Sequence, residues 1–428
     1  MWSSLQAPSI SLVSKALLTI VLLGALEAPE WLCLILDTPI PWIRQYMPYS
    51  MPLVAAVIVF NWALQRRIYG GIRVHLFGLL FATFVCVLAV MAVIHSSHEG
   101  TELRLWLVTG FFWMFVFYVA VRSFEYLPDA RQQIASLALF IVLAICVTQF
   151  VGAWLLMGTL GFALPFLAER HFQHSPYIAY LAVFAIALIW FEMPWKTAGG
   201  KWAAYLLLVP LVVFIMYQQR NTGSLVILVV LIAIKVLTWL PMHFQRSVRF
   251  NIGLAGAAVL AASIPVLMQS SDPTLEGLHV PSISYDEYRN LHGDVVSSYI
   301  RRETIKEQLR LFSQSPIFGV GLSRASDIRV LTLGMHSNLL YVLVTTGLLG
   351  FGFMAIWLIY GLFISWKDRG YAALAVPSVM FAMMLLSTET NWWWAIVVFL
   401  IGNRLPMGER ARAPSGELSP ATGPAVPT

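Results

Sequence analysis

The stretch LGMHSNLLYVLVTTGLLGF, from Leu333 to Phe351, is apolar along most of its length but opens with His336, Ser337 and Asn338. A run of about 20 predominantly apolar residues is long enough to cross a bilayer as a helix. A leucine would suit such a helix better than a histidine. The polar opening therefore marks the start of this span as a place for helix capping or for chemistry at a membrane face.

The composition of the whole chain indicates a helical membrane protein. Of its 428 residues, 59% are hydrophobic and 11% are charged, whereas about 25% of an ordinary soluble domain is charged. The apolar residues form unbroken runs rather than the alternating pattern of membrane barrels. The net charge of +6 does not indicate nucleic-acid binding, because the basic residues lie mostly in short loops.

Apolar runs near the span length occur about twelve times, so we predict an all-α polytopic membrane protein with about 12 transmembrane helices. The predicted spans lie near 9–27, 49–65, 74–95, 104–122, 133–153, 174–192, 202–219, 222–240, 250–268, 336–364, 372–388 and 391–403. Residues 1–268 would hold helices 1–9, residues 269–335 one large loop, and residues 336–404 helices 10–12. Residues 405–428 are rich in Pro, Ser and Gly and are predicted to form a disordered tail.

Loop charges predict the orientation of these spans. One set of loops carries most of the arginines and lysines, and the positive-inside rule places that set in the cytoplasm. It contains Arg66, Arg67, Arg73, Arg122, Arg131, Lys196, Lys201, Arg246, Arg249, Lys367, Arg369, Arg404, Arg410 and Arg412. Both termini are then cytoplasmic, and the large loop 269–335 is on the opposite side.

The large loop contains a predicted amphipathic helix. In SSYIRRETIKEQLRLFSQSP the apolar residues Ile300, Ile305, Leu309 and Phe312 recur at helical spacing. Pro316 would end this helix, and FGVG, residues 318–321, would follow as a turn whose backbone could offer N–H donors to an anion.

Ionisable residues are scarce inside the predicted spans. Lys235 and Glu192 lie near cytoplasmic ends and are expected to reach the water by snorkelling. Carriers coupled to protons or sodium usually need ionisable groups at mid-membrane depth. The pattern therefore favours chemistry at one membrane face over coupled transport.

Arginines and His336 converge on the face opposite the basic loops. Arg220 lies in the turn between spans seven and eight, Arg301 and Arg302 lie in the loop helix, and His336 begins span ten. One guanidinium group can bind two phosphate oxygens at once, and a helix N-terminus favours an anion. These residues suit a membrane-anchored pyrophosphate, although Arg220 could instead be an interfacial anchor.

His336 allows two interpretations. The helix dipole disfavours an imidazolium, so a neutral ring could take a proton from a sugar hydroxyl or hydrogen-bond a phosphate. Alternatively the segment is simply a helix cap, with Ser337 or Asn338 as the capping residue. Glu389, in a short turn predicted on the same face, could orient His336 or an acceptor sugar, or be solvated.

No strong metal motif is present. Two histidine groups have the i, i+3 spacing of a zinc pair but lack the rest of a zinc signature. The first group is His95, His98 and Glu99, and the second is His171 and His174. Cys33, Cys86 and Cys146 are far apart in apolar runs. We therefore predict no metal and no other cofactor.

Two motifs resemble the O-antigen ligase/polymerase superfamily. HSNLLYVLVTTGLLG is similar to its signature of His, a small polar residue, nine residues and Gly-x-x-Gly, filled here by His336, Ser337, Gly347 and Gly350. RETIKEQLRLFSQSPIFGVG, residues 302–321, resembles its segment of Arg, amphipathic helix and Pro-x-x-Gly-x-Gly. By spacing back from Pro316, the preceding Arg301 matches the family arginine better than Arg302. QRNTGSLVIL is a looser match to its arginine turn, and Phe351 departs from the usual residue after the second glycine.

The resemblance implies a GT-C-like membrane glycosyltransferase, and we expect an O-antigen ligase. Such an enzyme moves a glycan from undecaprenyl diphosphate to the lipid A–core oligosaccharide, at the periplasmic face of the bacterial inner membrane. The reaction is expected to invert the anomeric centre without a metal. The partners would be the lipid-linked donor, the lipid A–core acceptor and membrane lipids, with no nucleic acid.

The same resemblance implies roles for the candidate residues. Arg220 and Arg301 would bind the diphosphate, and His336 would act as the base or as a second phosphate ligand. Substrate contacts are further expected from Arg302, Ser337, Asn338 and Glu389. An O-antigen polymerase or a protein O-oligosaccharyltransferase would share the signature, while a lipid or glycan transporter or a membrane scaffold would use these residues differently.

Overall fold

The structure is a computed structural model, and its described part is helical throughout, with no strand among those residues. It describes residues 8–26, 41–69, 75–94, 104–127, 129–157, 175–193, 198–217, 222–239, 305–306, 308–321, 337–369, 372, 374–386 and 394–402.

The helices follow the predicted apolar runs. They are α1 (Pro8–Ala25), α2 (Pro41–Tyr69), α3 (Leu76–Ile94), α4 (Arg104–Arg122), α5 (Ala130–Met157), α6 (Ser175–Ala187, continued by a π-helical turn, Leu188–Glu192), α7 (Ala198–Tyr217), α8 (Thr222–Trp239), α9 (Asn338–Arg369), α10 (Ala375–Leu386) and α11 (Trp394–Gly402). Each predicted span overlaps one of them, except the span near 250–268, which lies outside the described residues. A short helix, residues 308–314, precedes α9.

Among the described residues, three helical segments are long and apolar enough to cross a membrane. They are Leu76–Ile94, Ala130–Val147 and Asn338–Lys367. Shorter apolar segments occur in α1, α2, α4, α6 and α8. Because helices satisfy all their backbone hydrogen bonds internally, this composition agrees with an all-α membrane protein.

Two helices form the centre of the bundle. Every residue of α11 is buried. Residues 179–189, which form most of α6 and the first two positions of its π-helical turn, are buried as well. A helix that is apolar on all sides belongs in the interior. The helix α11 packs on α4, α5, α9 and α10, while α6 packs on α5, α7, α8 and α10, so α10 joins the two central helices.

An aromatic stripe fixes α9 against α3. Phe77, Phe81 and Phe84 share one face of α3 and surround Trp357 of α9, whose ring stacks on Phe81 with centroids 4.2 Å apart. A Cβ on Gly361 of α9 would collide with the Phe77 ring. The glycine therefore allows α3 and α9 to approach closely, as small residues do between membrane helices.

Polar residues join α1, α2 and the turn after α4. Asn61 and Gln65 of α2 donate from their amides to the Ser123 hydroxyl and carbonyl, at 2.9 and 2.8 Å. The Tyr126 hydroxyl lies 2.7 Å from the Ser14 hydroxyl and 3.0 Å from the Asn61 amide oxygen. Burial raises the pKa of Tyr126 above its ordinary value, against the opposing effect of the hydrogen bond with Ser14. The phenol therefore stays neutral near pH 7.

The prediction that Glu192 snorkels to the surface was wrong. Its side chain is 2% exposed and forms a bidentate pair with Arg131, with distances of 2.9 and 3.0 Å. Arg131 also donates to the carbonyl oxygen of Leu400, near the end of α11, at 2.5 Å. The π-helical turn over Leu188–Glu192 changes the direction of this side chain relative to an α-helix, and a partner charge makes its burial possible.

Lys235, which is half-buried, contacts the end of α6. Its ammonium group donates to the carbonyl of Trp190, in the π-helical turn, at 3.1 Å, and lies 5.3 Å from the centre of the Phe191 ring. A lysine from α8 thus binds a carbonyl that the end of α6 leaves without a helical partner.

Candidate functional site

The structure describes two of the predicted site residues, Ser337 and Asn338. The others, Arg220, Arg301, Arg302, His336 and Glu389, lie outside the described residues, as do the two histidine groups near residues 95 and 171. Both segments that carry the family resemblance are described in part, as residues 308–321 and 337–350. Their geometry defines the scaffold to which the predicted site belongs.

Ser337 is the N-cap of α9. Its hydroxyl oxygen accepts a hydrogen bond from the N–H of Leu340 at 3.3 Å, and its carbonyl accepts the first helical bond, from Tyr341, at 2.9 Å. This is the usual geometry of a serine cap. The hydroxyl also lies 3.5 Å from the Met384 carbonyl of α10. Because Ser337 supplies the cap, capping gives no reason for a histidine at the preceding position, 336.

Replacing Ser337 with alanine is expected to destabilise the protein by about 1 kcal/mol, because the N–H of Leu340 loses its acceptor. Ser337→Gly should cost only a few tenths of a kcal/mol, since glycine is tolerated at N-caps. Thermal unfolding of the purified proteins measures both changes. An alanine variant as stable as the wild type would contradict the capping role.

The helix α9 is broken at Gly347, whose backbone angles are φ 65° and ψ −165°. The half before the break, residues 338–346, is buried on nearly all sides, whereas the half after it begins with the exposed residues Leu348 and Leu349. The break thus divides a segment enclosed by protein from a longer one with an outward apolar face. Irregular backbone at membrane depth is tolerated where protein covers it.

The turn after the short helix fills the break. The N–H groups of Leu348 and Leu349 donate to the carbonyls of Pro316 and Ile317, at 2.8 and 3.1 Å. In return the N–H of Val320 donates to the carbonyl of Val344 at 2.9 Å. These bonds replace the helical bonds that the break removes, and we call this contact between residues 316–320 and 344–349 the interlock.

Glycines are required on both sides of the interlock. Gly319 and Gly347 have positive φ angles of 75° and 65°. A Cβ on Gly347 would collide with the carbonyl of Ile317 and lie 2.5 Å from the nitrogen of Gly319, and a Cβ on Gly319 would collide with the backbone at Thr345. The glycines of Pro-x-x-Gly-x-Gly and of Gly-x-x-Gly thus meet in one backbone contact.

The prediction that FGVG offers its N–H groups to an anion was wrong for two of its residues. The N–H of Gly319 donates to the carbonyl of Ser315 at 2.8 Å, and the N–H of Val320 donates within the interlock. Backbone donors already bonded to protein carbonyls are not available to a phosphate. These two N–H groups therefore contribute nothing to anion binding in this region.

The short helix is amphipathic, but its buried face differs from the predicted one. Leu309 was expected on the apolar face, yet it is 46% exposed, while Leu311 packs into the core. Gln308 is completely buried beside Leu311 on the inward face. Sequence reasoning missed Gln308, although it stands on the helical stripe between Ile305 and Leu311, where an apolar residue is normal.

The two motif segments are therefore parts of one structure. The segment that follows Arg301 in the sequence is anchored, through the interlock, to the helix that begins directly after His336. No family model matches the chain, and no curated protein matches it to a significant degree. The resemblance to the O-antigen ligase/polymerase superfamily rests on the residue spacings within these two segments. The structure adds that the two segments contact each other.

Proposed function

We propose that this protein is an O-antigen ligase, a membrane glycosyltransferase with about twelve spans and a GT-C-like fold. It transfers a glycan from undecaprenyl diphosphate to the lipid A–core oligosaccharide, inverting the anomeric centre without a metal. The reaction takes place at the periplasmic face of the bacterial inner membrane, and both termini are cytoplasmic. The interlock is the observation that carries the proposal.

The interlock supports the proposal because transfer needs two distant groups held in a fixed relation. Arg301 precedes the described short helix by a few residues in the sequence, and His336 directly precedes Ser337, the N-cap of α9. Three backbone hydrogen bonds and two facing glycines tie these segments together. Groups carried by rigid backbone lose little entropy when they bind a transition state, which is how enzymes gain much of their rate.

In the proposed mechanism the acceptor hydroxyl oxygen attacks the anomeric carbon of the donor sugar as the bond from that carbon to the diphosphate oxygen breaks. Arg220 and Arg301 bind the diphosphate and stabilise the charge that it gains on leaving. His336 takes the proton from the hydroxyl as a general base, or else it binds the diphosphate and the proton passes to an oxygen of the departing diphosphate. Arg302, Ser337, Asn338 and Glu389 complete the substrate contacts.

A reconstituted transfer assay tests this proposal. The purified protein is supplied with an undecaprenyl-diphosphate glycan and a lipid A–core acceptor, with and without a chelator. We expect transfer in both conditions, and a loss of roughly 10²-fold or more in Arg220→Ala, Arg301→Ala and His336→Ala. Arg310→Ala is the matched control, because Arg310 is an exposed arginine of the short helix.

Three results would contradict parts of the proposal. Full activity in all three site variants would reject the assigned site, and inhibition by chelator that zinc or magnesium reverses would reject metal independence. Transfer to a second lipid-linked glycan or to a protein, in place of lipid A–core, would identify a polymerase or a protein O-oligosaccharyltransferase. Lack of transfer to any acceptor would favour a transporter or scaffold.

A further inference from the structure

Gln308 is a buried amide without a hydrogen-bond partner in the described part of the chain. Its side chain is 0% exposed, and neither its nitrogen nor its oxygen forms a hydrogen bond with a described residue. It lies on the inward face of the short helix, one turn before Leu311, which belongs to the hydrophobic core. Buried polar groups nearly always have partners, so an exception requires an explanation.

Packing alone does not explain this glutamine. An apolar residue of the same size would fill the space without leaving a donor and an acceptor unsatisfied. Gln314, two turns further along the same helix, is exposed. The helix therefore holds one glutamine in the ordinary solvated position and one that no described residue satisfies.

The unsatisfied atoms specify the chemistry of the ligand. The Gln308 nitrogen needs an acceptor, and its oxygen needs a donor. A sugar hydroxyl both donates and accepts, and neighbouring hydroxyls can bind one amide in a pair of hydrogen bonds. A diphosphate offers only acceptors at neutral pH and would leave the amide oxygen unsatisfied. The glycan part of a lipid-linked donor fits the amide, and its diphosphate does not.

We propose that Gln308 binds hydroxyl groups of the donor glycan, at the sugar next to the diphosphate. This inference rests on the proposed function. Gln308 follows Arg301 by seven residues in the sequence, on the segment that the interlock anchors to α9. One stretch of chain thus carries the arginine for the diphosphate and the amide for the sugar attached to it.

Binding measurements on Gln308→Met test the inference, because methionine has a similar size and cannot hydrogen-bond in this way. Two probes are compared, an undecaprenyl-diphosphate glycan and undecaprenyl diphosphate without sugar. We expect Gln308→Met to raise the Kd of the glycan-bearing probe about tenfold and to leave the Kd of the sugar-free probe unchanged. Gln314→Met should change neither Kd. The melting temperature of ligand-free Gln308→Met should equal or exceed that of the wild type, since the variant removes unsatisfied polar atoms.

The outcomes separate this inference from the proposed function. An unchanged Kd for the glycan in Gln308→Met, beside normal transfer by the wild type, would overturn only the inference and leave water as the partner of the amide. An equal rise in Kd for both probes would overturn it too, because the residue would then act through the diphosphate or the fold. A wild-type protein that neither binds nor transfers the donor would reject the proposed function, and the inference would fall with it.

Discussion

Replacing Gly347 with alanine is expected to destabilise the protein by about 2–6 kcal/mol, the sum of about 1–3 for a strained backbone and about 1–3 for overpacking. The backbone at Gly347 has angles that only glycine adopts readily, and a Cβ would collide with Ile317. The interlock must open or distort to accept it. Thermal unfolding of the purified variant should show a large drop in melting temperature.

The transfer activity of Gly347→Ala should fall further than stability alone requires. At a temperature where the variant is still folded, the interlock no longer fixes the segment after Arg301 to the helix after His336. We therefore expect a loss of activity comparable with that of a site variant. Retention of full activity by a folded variant would show that the interlock does not position the site.

Gly352→Ala is the matched control for this experiment. Gly352 lies five residues further along α9, and no atom outside its chain neighbours and the surrounding helix backbone lies within 4 Å of the position of an added Cβ. Alanine is favoured over glycine in a helix, so this change should stabilise the protein by up to about 1 kcal/mol. Equal losses of stability at positions 347 and 352 would mean that α9 tolerates no added methyl group at either position. That result would contradict a specific role of Gly347 in the interlock.

Gly319→Ala should repeat the effect of Gly347→Ala from the opposite side of the contact. Each glycine lies against the backbone of the other segment. Once one change has opened the interlock, the second has little left to disturb. The double variant should therefore lose less stability than the two single losses added together, as expected for residues in contact.

The helices could be predicted from the sequence because a long apolar run favours a backbone that satisfies its own hydrogen bonds. Each predicted span within the described residues overlaps a helix, although the helices differ in length, with 29 residues in α2 and 9 in α11. The capping explanation at the start of α9 could also be stated, although only the structure distinguishes Ser337 from Asn338 as the cap. These features depend on residues close together in the chain.

The interlock could not be predicted, because it joins residues that are far apart in the sequence. The two glycine motifs are visible in the sequence, but a single sequence does not show that Gly319 and Gly347 face each other. The sequence predicted a buried face with Leu309 and Phe312, whereas the structure buries Leu311 and exposes Leu309. Apolar residues at positions 309, 311 and 312 allow either orientation of the helix. Tertiary contacts select one of them.

The ion pair between Arg131 and Glu192 gives the second large expected effect. Replacing Glu192 with leucine leaves the Arg131 guanidinium in a buried site without its carboxylate, which should destabilise the protein by about 3–5 kcal/mol. Arg131→Met should cost at least as much, because the Leu400 carbonyl at the end of α11 also loses its donor. Unfolding midpoints measured at low and high salt should show the same differences, since buried pairs are poorly screened.

The double variant Arg131→Met/Glu192→Leu distinguishes an uncompensated charge from a loss of packing. Buried pairs can often be replaced by apolar residues of similar volume at little cost, so the double variant should be more stable than either single variant. Glu125→Gln provides a comparison in a pair with a less buried carboxylate, where Glu125 is 17% exposed and lies 3.4 Å from Arg122, and it should cost less than Glu192→Leu. If the double variant is no more stable than the less stable single variant, charge neutralisation is not the main role of the pair. The pair would then also hold the π-helical turn of α6 in its conformation.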